Sequence, residues 1–595
     1  MSVVLAASLL GAGVLLAAAP AAASSGRIYH IDNRLSACDN SGPATIAEPW
    51  CDLTSTDGID FQPGDEVLLA RGATWDQELR ISGEGTASQH IVVGAYGSGD
   101  RPRIIRDGDV TQRALTLTNP SHVTVRDLEL GDAGAGLVVY FDTTGHEDLD
   151  FLNLSVHNMA GIHQDRANTH GSDYVYDSAG LEFTGPVTLT PENPTVVTDV
   201  LIDGFEGAHN LDSIAFDWQG DSSLELIDGA SSRDTMTNVR MRHLYLHDDD
   251  DGGIDGAYCP HSLRIANMRD VTVQDSVLAR LAGCFVTAGT SEVIVLRADD
   301  IRFFNNMIVS TPETGSHDET GVDHEIDTDS IEYRGNYFAD NAGAGLSMLN
   351  IHVPTDGVEH YDTDNTVVDN VFVNNALTVP RRVEVGGVRV AGAYGPTTGT
   401  IDGNLNFEPT GFIHTDANGT FDDFTIGTNP TAVSAQHVWY AAEQFSGTQG
   451  DEGWSYASSA NGGITWKSMT YSAAADAYSD ATGALLSAFD AQPGCSAKAV
   501  VARVWTAPDD GAISIRGTAL AAAEAAPDAQ LAVTLNGVVI WSGSLTSAGS
   551  SIVASSSIDD VQVHAGDILR FEVREPGSGA DAVVSWVPAI AYTSL

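Results

Sequence analysis

The sequence predicts an all-β protein, a right-handed parallel β-helix (solenoid) followed by a β-sandwich. Two observations carry that expectation. A motif of the form V-x-V-x-[DN], then an apolar residue, recurs at irregular intervals over residues 123–375, as in Val123-Thr-Val-Arg-Asp, Val271-Thr-Val-Gln-Asp and Ile301-Arg-Phe-Phe-Asn. Alternate apolar residues suit strands that bury one face, and Asn, Asp and Gly suit the left-handed turns between them, so each copy reads as one coil of a solenoid. After residue 436 the pattern changes to short alternating strands. Six of the nine tryptophans lie there, with Asn536-Gly537 between two apolar runs as a hairpin signal.

Taken in order, residues 1–23 form an apolar Ala- and Leu-rich run ending in Ala21-Ala22-Ala23, a secretory signal pattern, although no Lys or Arg precedes Leu5. The β-helix is expected over residues 26–425. Cys38 and Cys51 are expected to pair around Trp50 in its opening segment. Cys259 and Cys284 fit a disulfide or a stacked pair of buried thiols equally well, and Cys495 is left over. A Gly/Thr/Asn/Pro stretch at 427–435 reads as a linker that protease should reach. Residues 436–595 then form the sandwich, read as an accessory carbohydrate-binding module. Trp454 and Trp466, in Gly/Ser-rich loops, are its candidate sugar platforms, while most of its other tryptophans should be core.

Composition narrows the function. The formal net charge is −53 and only two of the 28 basic residues are lysines, Lys467 and Lys498. Such a chain repels nucleic acid and anionic lipid, leaving neither as an expected partner. After removal of the signal no segment should enter a membrane, and the protein is expected to be an extracellular monomer. With no lysine before residue 436, a Lys base on the helix is excluded.

The opening coils carry Phe61-Gln-Pro-Gly-Asp-Glu-Val-Leu-Leu, Leu79-Arg-Ile-Ser-Gly-Glu-Gly and Ile91-Val-Val-Gly-Ala-Tyr-Gly. This run resembles the start of secreted β-helical, pectin-lyase-like carbohydrate-active enzymes, most closely glycoside hydrolase family 141, and alginate-lyase-like families share much of it. The resemblance covers about the first four-fifths of the chain and implies a polysaccharide substrate. It does not imply which reaction. The ordered Asn, Asp, His and Arg-x-Lys elements of polygalacturonases are missing, and the nearest echo of a pectate-lyase arginine segment, Arg101-Pro-Arg, lies far from the acidic residues.

The chemistry is therefore sought where coils turn carboxylates outward. If the residue after each Gly-apolar step faces solvent, Glu182, Asp255 and Asp323 share one strip, with Glu325 continuing outward beyond Asp323. On that register Asp255 and Asp323 lie two coils and about 9 to 10 Å apart, and Asp323 and Glu325 about 6.5 to 7 Å apart. Those separations suit glycoside hydrolysis by paired carboxylates, so Asp255, Asp323 and Glu325 are the candidate catalytic residues. Glu182, Asp217 with Trp218 beside it, and His324 are candidate substrate contacts, although register turns His324 inward, where it would serve as a hydrogen-bonded support. In the run Asp248-Asp-Asp-Asp251, Asp249 and Asp251 are candidate calcium ligands. Hydrolysis requires no cofactor, and calcium remains possible. A polysaccharide lyase or uronate epimerase would instead need calcium or arginine beside the strip, with Arg264, Arg297 or Arg334 as base. A non-catalytic glycan-binding surface protein would need no convergent pair.

Overall fold

The computed structural model describes residues 26–161, 178–187, 189, 193–216, 234–250, 259, 261–287, 289–325, 327–350, 362–376, 387–391, 396–415, 424–494, 496, 498–521, 528–545, 553–574 and 583–595. The expected signal segment and Cys495 lie outside them. Each coil gives one strand to each of three parallel sheets of 14, 11 and 12 described strands. One coil, for example, runs through Met268–Gln274, Val277–Ala279 and Thr290–Leu296. The next repeats the path through Asp299–Phe304, Met307–Val309 and Asp318–Glu325. The chain is a parallel β-helix.

The second apolar residue of each motif is what stacks. In the first sheet Val93, Val125, Phe151, Ile202, Met241, Val273, Phe303, Tyr333 and Val367 face one another in successive strands, and all are buried. Each such side chain contributes about 1.5–3 kcal/mol on leaving water. The motif's [DN] position is the left-handed corner after this sheet: Asp127, Asn153, His243, Asp275, Asn305 and Asp369 all have φ between 51° and 60°. Inside that corner runs an asparagine ladder. Asn306, Asn336, Asn370 and Asn404 each donate Nδ2–H to the Oδ1 of the asparagine one coil on, at 2.9–3.0 Å, ending on Asn429. Buried backbone donors at the turn are satisfied by the same oxygens, at 2.9–3.0 Å for Asn306, Asn336, Asn370 and Asn404.

From Val438 onward the strands are antiparallel and form an eight-stranded and a six-stranded sheet packed as a sandwich. Its tryptophan core includes Trp454, which is 1% exposed and donates Nε1–H to Gln444. Trp454 is therefore no sugar platform. Trp466 is half-buried, with the Arg570 guanidinium 5.5 Å from its ring centroid.

The segment read as a linker is tied down on both sides. Asn429 closes the ladder, Ala432 N–H donates to Asn406, and Val433 N–H donates to Tyr592 of the sandwich. The sandwich also shares one apolar cluster with helix residues Val371, Val373 and Leu405. Polar contacts border it: Tyr440 donates to the Gly335 carbonyl at 2.8 Å, Asn305 donates to Ser585 at 2.8 Å, and Arg516 pairs with Asp369 at 3.5 Å. No described helix is long and apolar enough to cross a membrane.

Candidate active site

The third sheet carries the acidic face. In Asp318–Glu325, Val322 and His324 point into the coil and are fully buried, which turns Asp323 and Glu325 to the other side. Register then fixes Asp323's neighbours. Its column runs Glu182, Ala215, Arg264, Ile294, Asp323, Ser347, Arg389. The step that starts these strands is local: Gly180-Leu181-Glu182, Gly321-Val322-Asp323, Gly345-Leu346-Ser347 and Gly387-Val388-Arg389 share one pattern. Glycine is needed because successive backbones approach closely there. A Cβ on Gly321 would sit 2.6 Å from the Gly345 carbonyl oxygen.

Asp323 is 3% exposed, and its Oδ1 has no hydrogen-bond partner among the described residues. Burial first, then the charges of Glu325 and Asp318, push its carboxyl well above the usual carboxylate range, against the opposing pull of Arg389. Glu325 lies two residues on, about 6.6 Å along the same strand face, and is half-buried. Arg389 Nη1 pairs with Asp318 at 3.1 Å. A buried carboxyl and a second carboxyl share one face, flanked two strands away on either side by Arg264 and Arg389.

Beneath Asp323, inside the coil, His324 Nδ1 lies 3.4 Å from Asp362. Burial lowers the imidazole to about 3 and raises Asp362 to about 7, with Thr328 and Asn365 donating to the carboxyl. His324 is thus a neutral core residue between Val295 and Met348 and cannot touch substrate. Glu182 shares Asp323's column four coils away and is fully buried. The position expected for Asp255, two coils before Asp323, is held by Arg264. Gly253-Ile254 mimics the Gly-apolar step, but the strand that pairs in this column is His261–Ala266, which opens with Ser262-Leu263. Asp255, Asp217, Trp218 and Asp251 lie outside the described residues.

Asp249 is turned into the protein rather than toward solvent. It is 1% exposed and accepts hydrogen bonds from Asn210 N–H at 2.9 Å and Ser213 Oγ at 2.7 Å, and burial raises its carboxyl to about 7. Its neighbour Asp248 is held well below the usual range by Arg280. Cys259 and Cys284 form a disulfide, as do Cys38 and Cys51. Of the three candidate arginine bases, Arg264 shares the acidic face, whereas Arg334 belongs to the first sheet, bonded to Glu332. Arg389 was missed because the Gly-apolar rule was applied to carboxylates alone.

No protein-family model matches the chain, and no curated protein matches it. Solved structures do. A glycoside hydrolase family 136 lacto-N-biosidase from Eubacterium ramulus is similar at 17% identity and a TM-score of 0.47, over 67% of this chain and 68% of that one. An alginate lyase from a Paenibacillus species is similar at 13% identity and a TM-score of 0.32, over 62% and 96%. The A-module of a mannuronan C-5 epimerase from Azotobacter vinelandii follows at 14% identity and a TM-score of 0.28, over 62% and 87%. Identities this low concern the β-helix scaffold, on which unrelated chemistries are built.

Proposed function

We propose that the protein is a secreted carbohydrate-active enzyme, a glycoside hydrolase acting on a polysaccharide. The carrying observation is Asp323: a buried carboxyl raised above the usual carboxylate range beside a second carboxyl, Glu325, on one strand face. Two carboxyl groups in unlike surroundings, one buried and one half-buried, can divide the acid and base roles of glycoside hydrolysis. Asp323 gives its proton to the glycosidic oxygen as the bond to the anomeric carbon breaks. Glu325 attacks that carbon, or takes a proton from the water that does, and one water is consumed per bond. The motifs of the opening coils support a carbohydrate substrate, and the Ala-rich leader supports export.

A lyase or epimerase reading draws on one observation, the arginines at the Arg264 and Arg389 positions of the same column. Either could offset a uronate carboxylate. The test is a screen of the purified protein against a polysaccharide panel, recording new reducing ends together with ultraviolet absorbance. Saturated products with new reducing ends support hydrolysis. Absorbance from unsaturated uronates overturns it in favour of elimination, and turnover of no glycan at all overturns both.

A further inference from the structure

The geometry points to a binding site for a divalent transition-metal cation on the first sheet, away from the acidic face, built from His90, His122 and Asp148. The three residues each precede the first inward apolar residue of a strand, in three successive coils, because Ile91, Val123 and Leu149 are in register. His122 and Asp148 take left-handed backbone at the entry to that sheet, with φ of 52° and 64°. Their donor atoms converge. His90 Nε2 and His122 Nδ1 both lie 2.9 Å from the same Asp148 oxygen, Oδ2.

Hydrogen-bond accounting shows why a cation fits here. Thr124 has one hydroxyl proton, which goes to Asp150 Oδ2 at 3.2 Å, so at 3.0 Å it accepts from His90 Nδ1–H. On the far side of the other ring, His122 Nε2 faces Glu147 Oε1 at 3.2 Å. Three of the four ring nitrogens therefore make hydrogen bonds to an oxygen, and the fourth has a carboxylate at ion-pair distance. A proton on each of the four would make two imidazolium rings side by side, their centroids 5.8 Å apart. One divalent cation at the convergence point replaces the two inner protons and leaves the outer ones in place. The His90 ring then has the arrangement seen in built metal sites, one nitrogen on the metal and the other N–H on an oxygen acceptor, and His122 keeps the Glu147 carboxylate beside its outer nitrogen. Two imidazoles and a carboxylate suit zinc, nickel, copper or cobalt, whose legs of about 2.0–2.1 Å place neighbouring ligand atoms about 3.3 Å apart. The present 2.9 Å separations reach that with side-chain shifts of a few tenths of an ångström. A cation there would join the coils of Ile91–Tyr96, Val123–Arg126 and His146–Leu152 at one corner.

The test uses the full chain without a histidine tag, freed of metal by chelator and titrated with cobalt in excess calcium, which occupies exposed carboxylates. We expect one cobalt per chain, visible absorption bands of a four- or five-coordinate nitrogen/oxygen site, and a higher melting temperature with zinc. His90→Ala and His122→Gln should abolish the bands while melting like the metal-free parent. Thr124→Val, which frees the His90 ring, should weaken cobalt by about 10- to 100-fold. His243→Gln alters the other His/Asp cluster of the described residues, around Asp275 and Asp490, and should leave binding unchanged. The inference is overturned if the parent shows no bands and no zinc-dependent melting shift, if the bands survive in both histidine variants, or if they disappear with His243→Gln.

Discussion

Asp323 concentrates the cost and the use of a buried carboxyl in one side chain. As the proposed acid, its replacement in Asp323→Asn should lower turnover by about 10²- to 10⁴-fold, and Glu325→Gln should do likewise, measured as reducing ends released. Stability should move the other way. A carboxyl whose pKa is raised on folding stabilises the fold only while protonated, so its contribution is lost as pH rises above the ordinary carboxylate range. Asp323→Asn should therefore melt higher than the parent at pH 7 and no higher at pH 3. The fall of activity with rising pH, where Asp323 ionises, should lie above the ordinary carboxylate range. A parent rate that falls between pH 4 and 5 would place the acid elsewhere.

Elements are held together by features a local reading sees in part. The motif's alternation identified the inward stack, and its [DN] position identified the left-handed corner. The ladder was not visible as a ladder, because Asn306, Asn336 and Asn370 become equivalent only once coils of unequal length are stacked. Asn336→Ala should cost about 3 kcal/mol or more in a denaturant titration, since it removes the bond to Asn370 and orphans buried donors of Asn306. The same unequal coil lengths explain the error over Asp255. The triplet Gly253-Ile254-Asp255 has the same local pattern as the true steps, and only hydrogen-bonded register shows that Arg264 holds this position of the column.

At the scale of the whole molecule, the sandwich and the β-helix share a core, so they should unfold in a single calorimetric transition, with the 427–435 segment resistant to protease. Removing residues 436–595 should yield an aggregating helix rather than a trimmed enzyme, because Val371, Val373 and Leu405 would meet water. One contact of this junction should respond to pH. Burial alone would lower the His243 imidazole, but its bond to Asp203 at 2.8 Å and its ion pair with Asp490 of the sandwich at 3.2 Å hold it up at about 10. A raised histidine contributes fully below its ordinary value of 6.5 and loses that contribution as pH rises through about 10. The melting temperature should drop between pH 7 and 10.5 in the parent and drop less in His243→Gln, which starts lower at pH 7. Equal slopes would remove His243 from the junction's energetics.

What the sequence determined by itself was whatever depends on neighbours along the chain. Alternating apolar residues set the strand faces, Asn, Asp and Gly set the corners, and Val322-Asp323-His324-Glu325 sorted itself into two inward and two outward side chains. Tertiary structure decided what depends on neighbours across coils. It put Arg264 and Arg389 rather than Asp255 in Asp323's column, sealed Glu182 and Asp249 from solvent, brought His90, His122 and Asp148 to one point, and turned an apparent linker into part of a shared core. The physical reason is that a solenoid's coils vary in length, so residues paired in successive coils lie 22 to 51 positions apart at spacings no single period predicts, and whether a carboxyl is paired, buried or free is a property of that stacking.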